Sequence, residues 1–193
     1  MNKINGYCHP CRAGRQQGIA LITGLIFLVV LTLLGITAAR MAGLEERMSG
    51  NLRDRSLAMQ AAEMALRDAE RDIRGGPGIT RATQISGLAN FDRNCTNGLC
   101  YNGSLGANSG TDWAVTPVWT IFSMIAAPSV AYGTNTGATL IGGLSAAPRY
   151  LIEGFSKPPA GGGAKVPYYR ITVRAQGANP NTVVWLQEVF TPI

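Results

Sequence analysis

Residues 19–39 read IALITGLIFLVVLTLLGITAA, twenty-one consecutive positions without a charge, and Gly18 stands directly before them. About 20 apolar residues cross the hydrocarbon core of a bilayer as a helix. A helix buried in a soluble core would carry a polar face, whereas this stretch offers only Thr23, Thr32 and Thr37. The stretch therefore predicts a transmembrane span. Its flanks set the direction: residues 1–18 hold Lys3, Arg12 and Arg15 with no acid, and the flank after the span is nearly neutral. By the positive-inside rule the N-terminus lies in the cytoplasm and the C-terminal part outside. A secretory signal would have a shorter apolar region and a small-residue cleavage site. Ala38-Ala39 is followed by more helical pattern, so a cut there is the weaker reading.

The helical pattern continues past the span. Leu44, Met48, Leu52, Met59, Ala62, Leu66, Ala69 and Ile73 recur at three, four or seven residues, one stripe on a helix. Charged residues fill the intervals, with Glu63–Arg67 and Glu70–Arg74 at the favourable i,i+4 spacing. Gly75-Gly76-Pro77-Gly78 then supplies a glycine cap and a proline stop. One helix is thus predicted over 19–74, roughly 84 Å long, apolar over 19–39 and amphipathic over 40–74. Gly35, Ala39 and Gly43 form a small-residue ridge on it. That ridge either admits a second helix closely or reflects simple tolerance of small residues in lipid.

Charge and histidine content narrow the function. The net charge of +6 divides into three cations in 1–18, balanced charges in 19–74, and seven basic against four acidic residues in 75–193. No Lys/Arg run marks a nucleic-acid surface, so no nucleic acid is expected as a direct partner. His9, in the leader, is the single histidine of the chain. Ser-His-Asp, Cys-His and His-metal chemistry are thereby removed from the C-terminal part, and neither catalytic residues, a metal nor a cofactor is expected. Cys8-His9-Pro10-Cys11 has redox or half-zinc-site spacing, but it lies in a reducing compartment and in a segment expected to be discarded.

Residues 75–193 are rich in Gly, Asn, Ser, Thr and Pro and read as an exported head. Tyr168 to Ala175 and Thr182 to Phe190 predict an antiparallel hairpin about a QGANPN turn, and the helix stripe can cover one face of that sheet. Further strands are expected at Trp113 to Val118, Trp119 to Ile125 and Arg149 to Phe155, with loops at Ala131 to Ala147 and Lys157 to Lys165. The fold class is α+β: a long N-terminal helix packed by its second half on a small antiparallel sheet. Cys95 and Cys100 flank Asn97-Gly98 and are placed for a disulfide, with free thiols or a metal pair as alternatives. Asp92, Asn94 and Asn97 read as turn residues rather than calcium ligands. Trp113, Trp119 and Trp185 read as core residues rather than a stacking platform.

Two stretches carry a family resemblance. Arg15-Gln16-Gln17-Gly18 before Ile19-Ala20-Leu21-Ile22 resembles the processing site of type IV prepilins. The stretch LEERMSGNLRDRSLAMQAAE, Leu44 to Glu63, is similar to the N-terminal signature of PilX-type minor pilins. Tyr169-Arg170-Ile171-Thr172 and Gly177 to Val184 continue the likeness at the C-terminus, while the middle of the head carries none. The resemblance implies a pilin-like lollipop and a leader, 1–18, removed by a prepilin peptidase between Gly18 and Ile19, with methylation of the new amine. It implies partners as well: other minor pilins, the major pilin, a tip adhesin, the inner-membrane assembly platform, and lipid before assembly. The protein would sit in the inner membrane of a Gram-negative bacterium as a single N-in span, then in a surface pilus that supports twitching motility and attachment.

Two other readings compete with a minor pilin of the tip priming complex. One is a type II secretion pseudopilin, and the other a bitopic membrane protein with a ligand-binding outer domain. Thr23, fifth after the expected cut, departs from the pilin pattern. Most pilins have a glutamate there, which is thought to neutralise the amine of the neighbouring subunit in the filament core. A lone carboxylate in that core would be costly without such a partner. Threonine at this position implies a subunit at the tip, with no neighbour ahead of it.

Overall fold

The structure, a computed structural model, describes residues 18–81, 84–101, 118–158 and 161–192. The Cys8–Cys11 motif, Trp113 and most of the strand expected at Trp113 to Val118 lie outside the described residues. Helix α1 runs Ile19–Arg74, 56 residues. The chain divides into two units, Met1–Ser49 and Gly50–Ile193.

In the first unit every described residue is exposed, Leu21 by 75% and Phe27 by 68%. This part of α1 is long and apolar enough to cross a membrane. The upper members of the expected stripe, Leu44 and Met48, are exposed too, as is Leu52 just beyond. Burial begins at Ala58 and follows Ala61, Ala62, Ala65, Leu66, Ala69 and Ile73. Small alanine side chains let this helix segment sit close on the sheet, because the residues at the contact set the packing distance. Gly75 ends the helix in the left-handed conformation (φ 68°), its N–H donating to the Arg71 carbonyl at 3.0 Å.

The sheet comprises β1 (Leu99–Cys100), β2 (Val130–Ala131), β3 (Arg149–Lys157), β4 (Val166–Gln176) and β5 (Val183–Phe190). Its order is β1-β3-β4-β5, with β2 also on β3. The hairpin β4–β5 and the pair β3–β4 are antiparallel. The sheet is mixed rather than purely antiparallel, because Leu99 and Cys100 run parallel to Ile152 and Glu153. Alternation along the strands separates two faces. Tyr150, Ile152, Tyr169, Ile171, Val173, Ala175 and Val184 join the core with α1. Leu151 faces the other way, into a smaller cluster with Cys95, Cys100, Val118 and Met124.

Two expectations need correction. Val118–Thr120 is a 3-10 turn and the residues up to Ile125 are turn and bend, not strand. The Phe122 N–H donates to the Val118 carbonyl at 2.8 Å, and Ile121 and Ile125 are exposed by 63% and 70%. The inward residues are therefore spaced as in a helical turn rather than alternating. Trp185 is 47% exposed on the outer side of β5 and is not a core residue.

Candidate functional site

Gly18 precedes the helix and Ile19 is its first residue, 67% exposed. Thr23 lies one turn on. Its hydroxyl donates back to the carbonyls of Ile19 (3.0 Å) and Ala20 (3.1 Å), so the side chain closes on its own backbone. Gly35, Ala39 and Gly43 recur at i,i+4 in unbroken helix, and all three are exposed. A methyl group added at Gly18, Gly35 or Gly43 would meet open space within this chain.

Cys95 and Cys100 are joined by a disulfide on the sheet face away from α1. The loop inside it turns through Asn97 (φ 55°) and Gly98 (φ 77°). A Cβ at Gly98 would stand 2.5 Å from Val130 Cγ2, so glycine also meets a packing demand. Asp92 braces the loop, its Oδ1 accepting the N–H groups of Asn94 (2.9 Å) and Thr96 (3.0 Å). The Thr96 hydroxyl and these N–H groups hold the Asp92 carboxyl below its ordinary value.

The residues that fasten the helix to the head are acids, which the sequence places among solvated charges. Asp72 is fully buried. Its carboxylate receives Arg81 in a two-pronged contact (2.8 and 2.5 Å), the Asn135 amide (2.8 Å) and the Tyr150 hydroxyl (3.0 Å). Arg81 also donates to the Asn97 carbonyl at 3.0 Å, tying the disulfide loop to the same hub. Burial raises the Tyr150 phenol above its usual value, and the negative charges of Asp72 and Asp68 add to this. One turn earlier, Asp68 accepts the Gly133 N–H at 2.8 Å and the Thr136 hydroxyl. The segment Ala131 to Ala147, expected as a free loop, is thus held to α1 by two carboxylates. A buried charge is tolerated only when paired and hydrogen-bonded in this way.

A third acid joins the two stretches that carry the family likeness. Asp54 Oδ1 accepts the N–H groups of Ala178 (2.6 Å) and Asn179 (3.3 Å) in the β4–β5 turn. The Thr182 hydroxyl and these two N–H groups hold its carboxyl below the ordinary value. Gly177 must be glycine here, since a Cβ would collide with the Asp54 carboxylate and stand 2.9 Å from its carbonyl. On the other sheet face Arg170 grips Glu153 (2.7 and 2.5 Å) across the β3–β4 register, both buried. The Arg170 guanidinium also stacks on Trp119 (5.3 Å) and Phe155 (5.0 Å). Arg67 turns to Glu70 at 2.7 Å, and Arg74 reaches the same carboxylate at 3.5 Å.

The missed acids had one faint signal. Ala61, Ala65, Asp68 and Asp72 follow one helical ridge beside Ala62, Leu66, Ala69 and Ile73, so two carboxylates continue an apolar row. Among the described residues no cluster of three or more His, Cys, Asp or Glu side chains could hold a metal ion.

No curated protein and no solved structure matches the chain. Two family models do: the PilX N-terminal family over residues 17–67, and the type IV pilus assembly protein PilX C-terminal family over residues 96–192. The second match covers the sheet, Cys100 of the disulfide and the loop held by Asp68 and Asp72. The first begins beside Gly18 and includes Asp54. The chain belongs to the PilX family of type IV pilus assembly proteins, minor pilins that are structural components and interact with other parts of the pilus.

Proposed function

We propose that this protein helps to initiate type IV pilus assembly from the tip, in a priming complex with other minor pilins and an adhesin. Twitching motility and attachment depend on the resulting fibre. Before assembly the apolar part of α1 anchors it in the inner membrane, with the N-terminus in the cytoplasm. A prepilin peptidase removes 1–18 after Gly18, and Ile19 becomes the methylated N-terminal residue. The assembly platform then moves α1 from lipid into contact with neighbouring subunits, where Gly35, Ala39 and Gly43 offer a close approach.

The observation that carries the tip position is Thr23, whose hydroxyl is spent on the Ile19 and Ala20 carbonyls. It supplies no negative charge for the amine of a subunit ahead. The processing step is supported by the start of helix at Ile19, which leaves Gly18 as an open, unpacked position before it. Intact-mass measurement of the membrane form tests that step. In cells with an active prepilin peptidase the mass should correspond to a chain beginning at methylated Ile19. Retention of residues 1–18 would favour an uncleaved bitopic membrane protein instead.

A further inference from the structure

Strand β5, Val183–Phe190, is an open edge of the sheet. It pairs with β4 on one side, and no described residue hydrogen-bonds its backbone on the other. Every second N–H and C=O along such an edge points outward with no strand to meet it. Proteins that keep an edge to themselves blunt it with lysine, proline or a bulge. β5 has none of these: its sequence is VVWLQEVF, and it runs against residues 169–176 of β4 without a break in register. The side chains beside the edge are uncovered as well. On the outer face Trp185 and Val189 are 47% and 56% exposed. On the face toward α1 a cleft of about 610 Å³ is lined by Gln60, Glu63, Met64, Leu66 and Arg67 of the helix and by Glu188 of β5. No residue of β1 to β4 lines it, so the cleft lies between the helix and the open edge.

We propose that β5 is a docking edge for an extended strand of another pilus component, one that alternates apolar with basic side chains and pairs with β5 through the main chain. A strand added there turns its side chains alternately to the two faces of the sheet. On the outer face its apolar side chains cover Trp185 and Val189, their neighbours across the new pairing. On the helix face its side chains enter the cleft, which offers the apolar Met64 and Leu66 together with the carboxyl groups of Glu63 and Glu188. Arg67, the one cation of the cleft, is already turned to Glu70 at 2.7 Å. The cleft is therefore short of positive charge. A lysine or arginine suits both of its parts, laying its stem on the apolar lining and its head against the acids. A second copy of this chain using its own β5 lacks that complement, because VVWLQEVF contains no basic residue. Docking of this kind requires only another pilus component as partner, wherever in the fibre this subunit stands.

Amide exchange on the full chain in detergent, with and without a peptide, tests the docking edge. The probe is Lys-Val-Lys-Val-Lys-Val-Lys-Val, blocked at both ends, at about 1 mM. Every second amide of Val183–Phe190, the set that points away from β4, should gain about tenfold in protection, while the amides already paired with β4 change little. Glu-Val-Glu-Val-Glu-Val-Glu-Val should give no such gain. Neither should the Lys-Val peptide N-methylated at every residue, which has no N–H to donate. In cells, the double variant Trp185→Lys, Val189→Lys changes exposed positions only and should keep its membrane level but be lost from sheared pili. Absence of the wild-type protein from sheared pili would count against its place in the pilus, whereas the peptide measurement alone decides whether the edge accepts a strand. No alternating gain with the Lys-Val peptide, an equal gain with either control peptide, or normal recovery of the double variant in pili would each overturn the proposal. So would the same protection appearing without peptide as the chain is concentrated, since the partner would then be a second copy.

Discussion

One helix, α1, lives under two sets of rules. Over 19–49 it is exposed throughout and over 19–39 it carries no charge; over 58–73 it buries small side chains together with Asp68, Glu70 and Asp72. The usual order of oil inside and charge outside is inverted along a single element. The first part leaves its apolar surface uncovered within this chain, as suits a helix that is long and apolar enough to cross a membrane. The second has all its partners within the chain, and they are specific: a guanidinium, an amide, a phenol and backbone N–H groups. Exposed apolar residues here mark assembly, and buried acids mark the fixed part of the fold.

The comparison is most easily broken at Asp72. Asp72→Ala leaves Arg81, with a side chain 5% exposed, and the Tyr150 hydroxyl without their buried acceptor. The expected loss is about 3–5 kcal/mol in urea unfolding of the full chain, the range for removing one member of a buried pair. A loss under about 1 kcal/mol would mean that the alanine ridge packs the helix without its acids. Gly177→Ala should cost about 1–3 kcal/mol by pushing the β4–β5 turn off Asp54. A neutral result in the same unfolding measurement would show that the turn shifts freely and that Asp54 does not fix it. At the other end of α1, Thr23→Glu should change unfolding by less than about 0.5 kcal/mol, because the residue is exposed and unpacked within this chain. Its effect belongs in assembly, as altered piliation or tip composition seen by pilus shearing and subunit detection. Normal piliation with unchanged tip composition would remove the argument for the tip from this residue.

Much of this architecture was legible before any coordinates. The span announces itself by length, the amphipathic stripe by its period, and the stop by Gly75-Gly76-Pro77. The hairpin is visible because Tyr168 to Ala175 and Thr182 to Phe190 are β-rich about a turn of Gly, Asn and Pro. What escapes is whatever depends on a partner far away in the chain. Asp68 and Asp72 look like ordinary solvated charges until Gly133, Asn135, Thr136 and Tyr150 arrive, 63 to 78 residues later. Val118 to Ile125 misleads for a local reason: it is apolar enough for a strand but is spaced as a turn. Trp185 misleads because residue type does not say which face of an edge strand is covered.

The long reach of the helix carboxylates also bears on how the chain is made. When α1 leaves the ribosome, Asp68 and Asp72 have no acceptor role to fill, and their charges keep that segment in water. The loop around Gly133–Thr136 must be synthesised before these acids can be buried without penalty, and the Asp54 clasp waits longer still, for Ala178 and Asn179. The helix therefore cannot dock early on a half-made sheet. Its acids favour an order in which the head closes on the helix only after nearly the whole chain has been made.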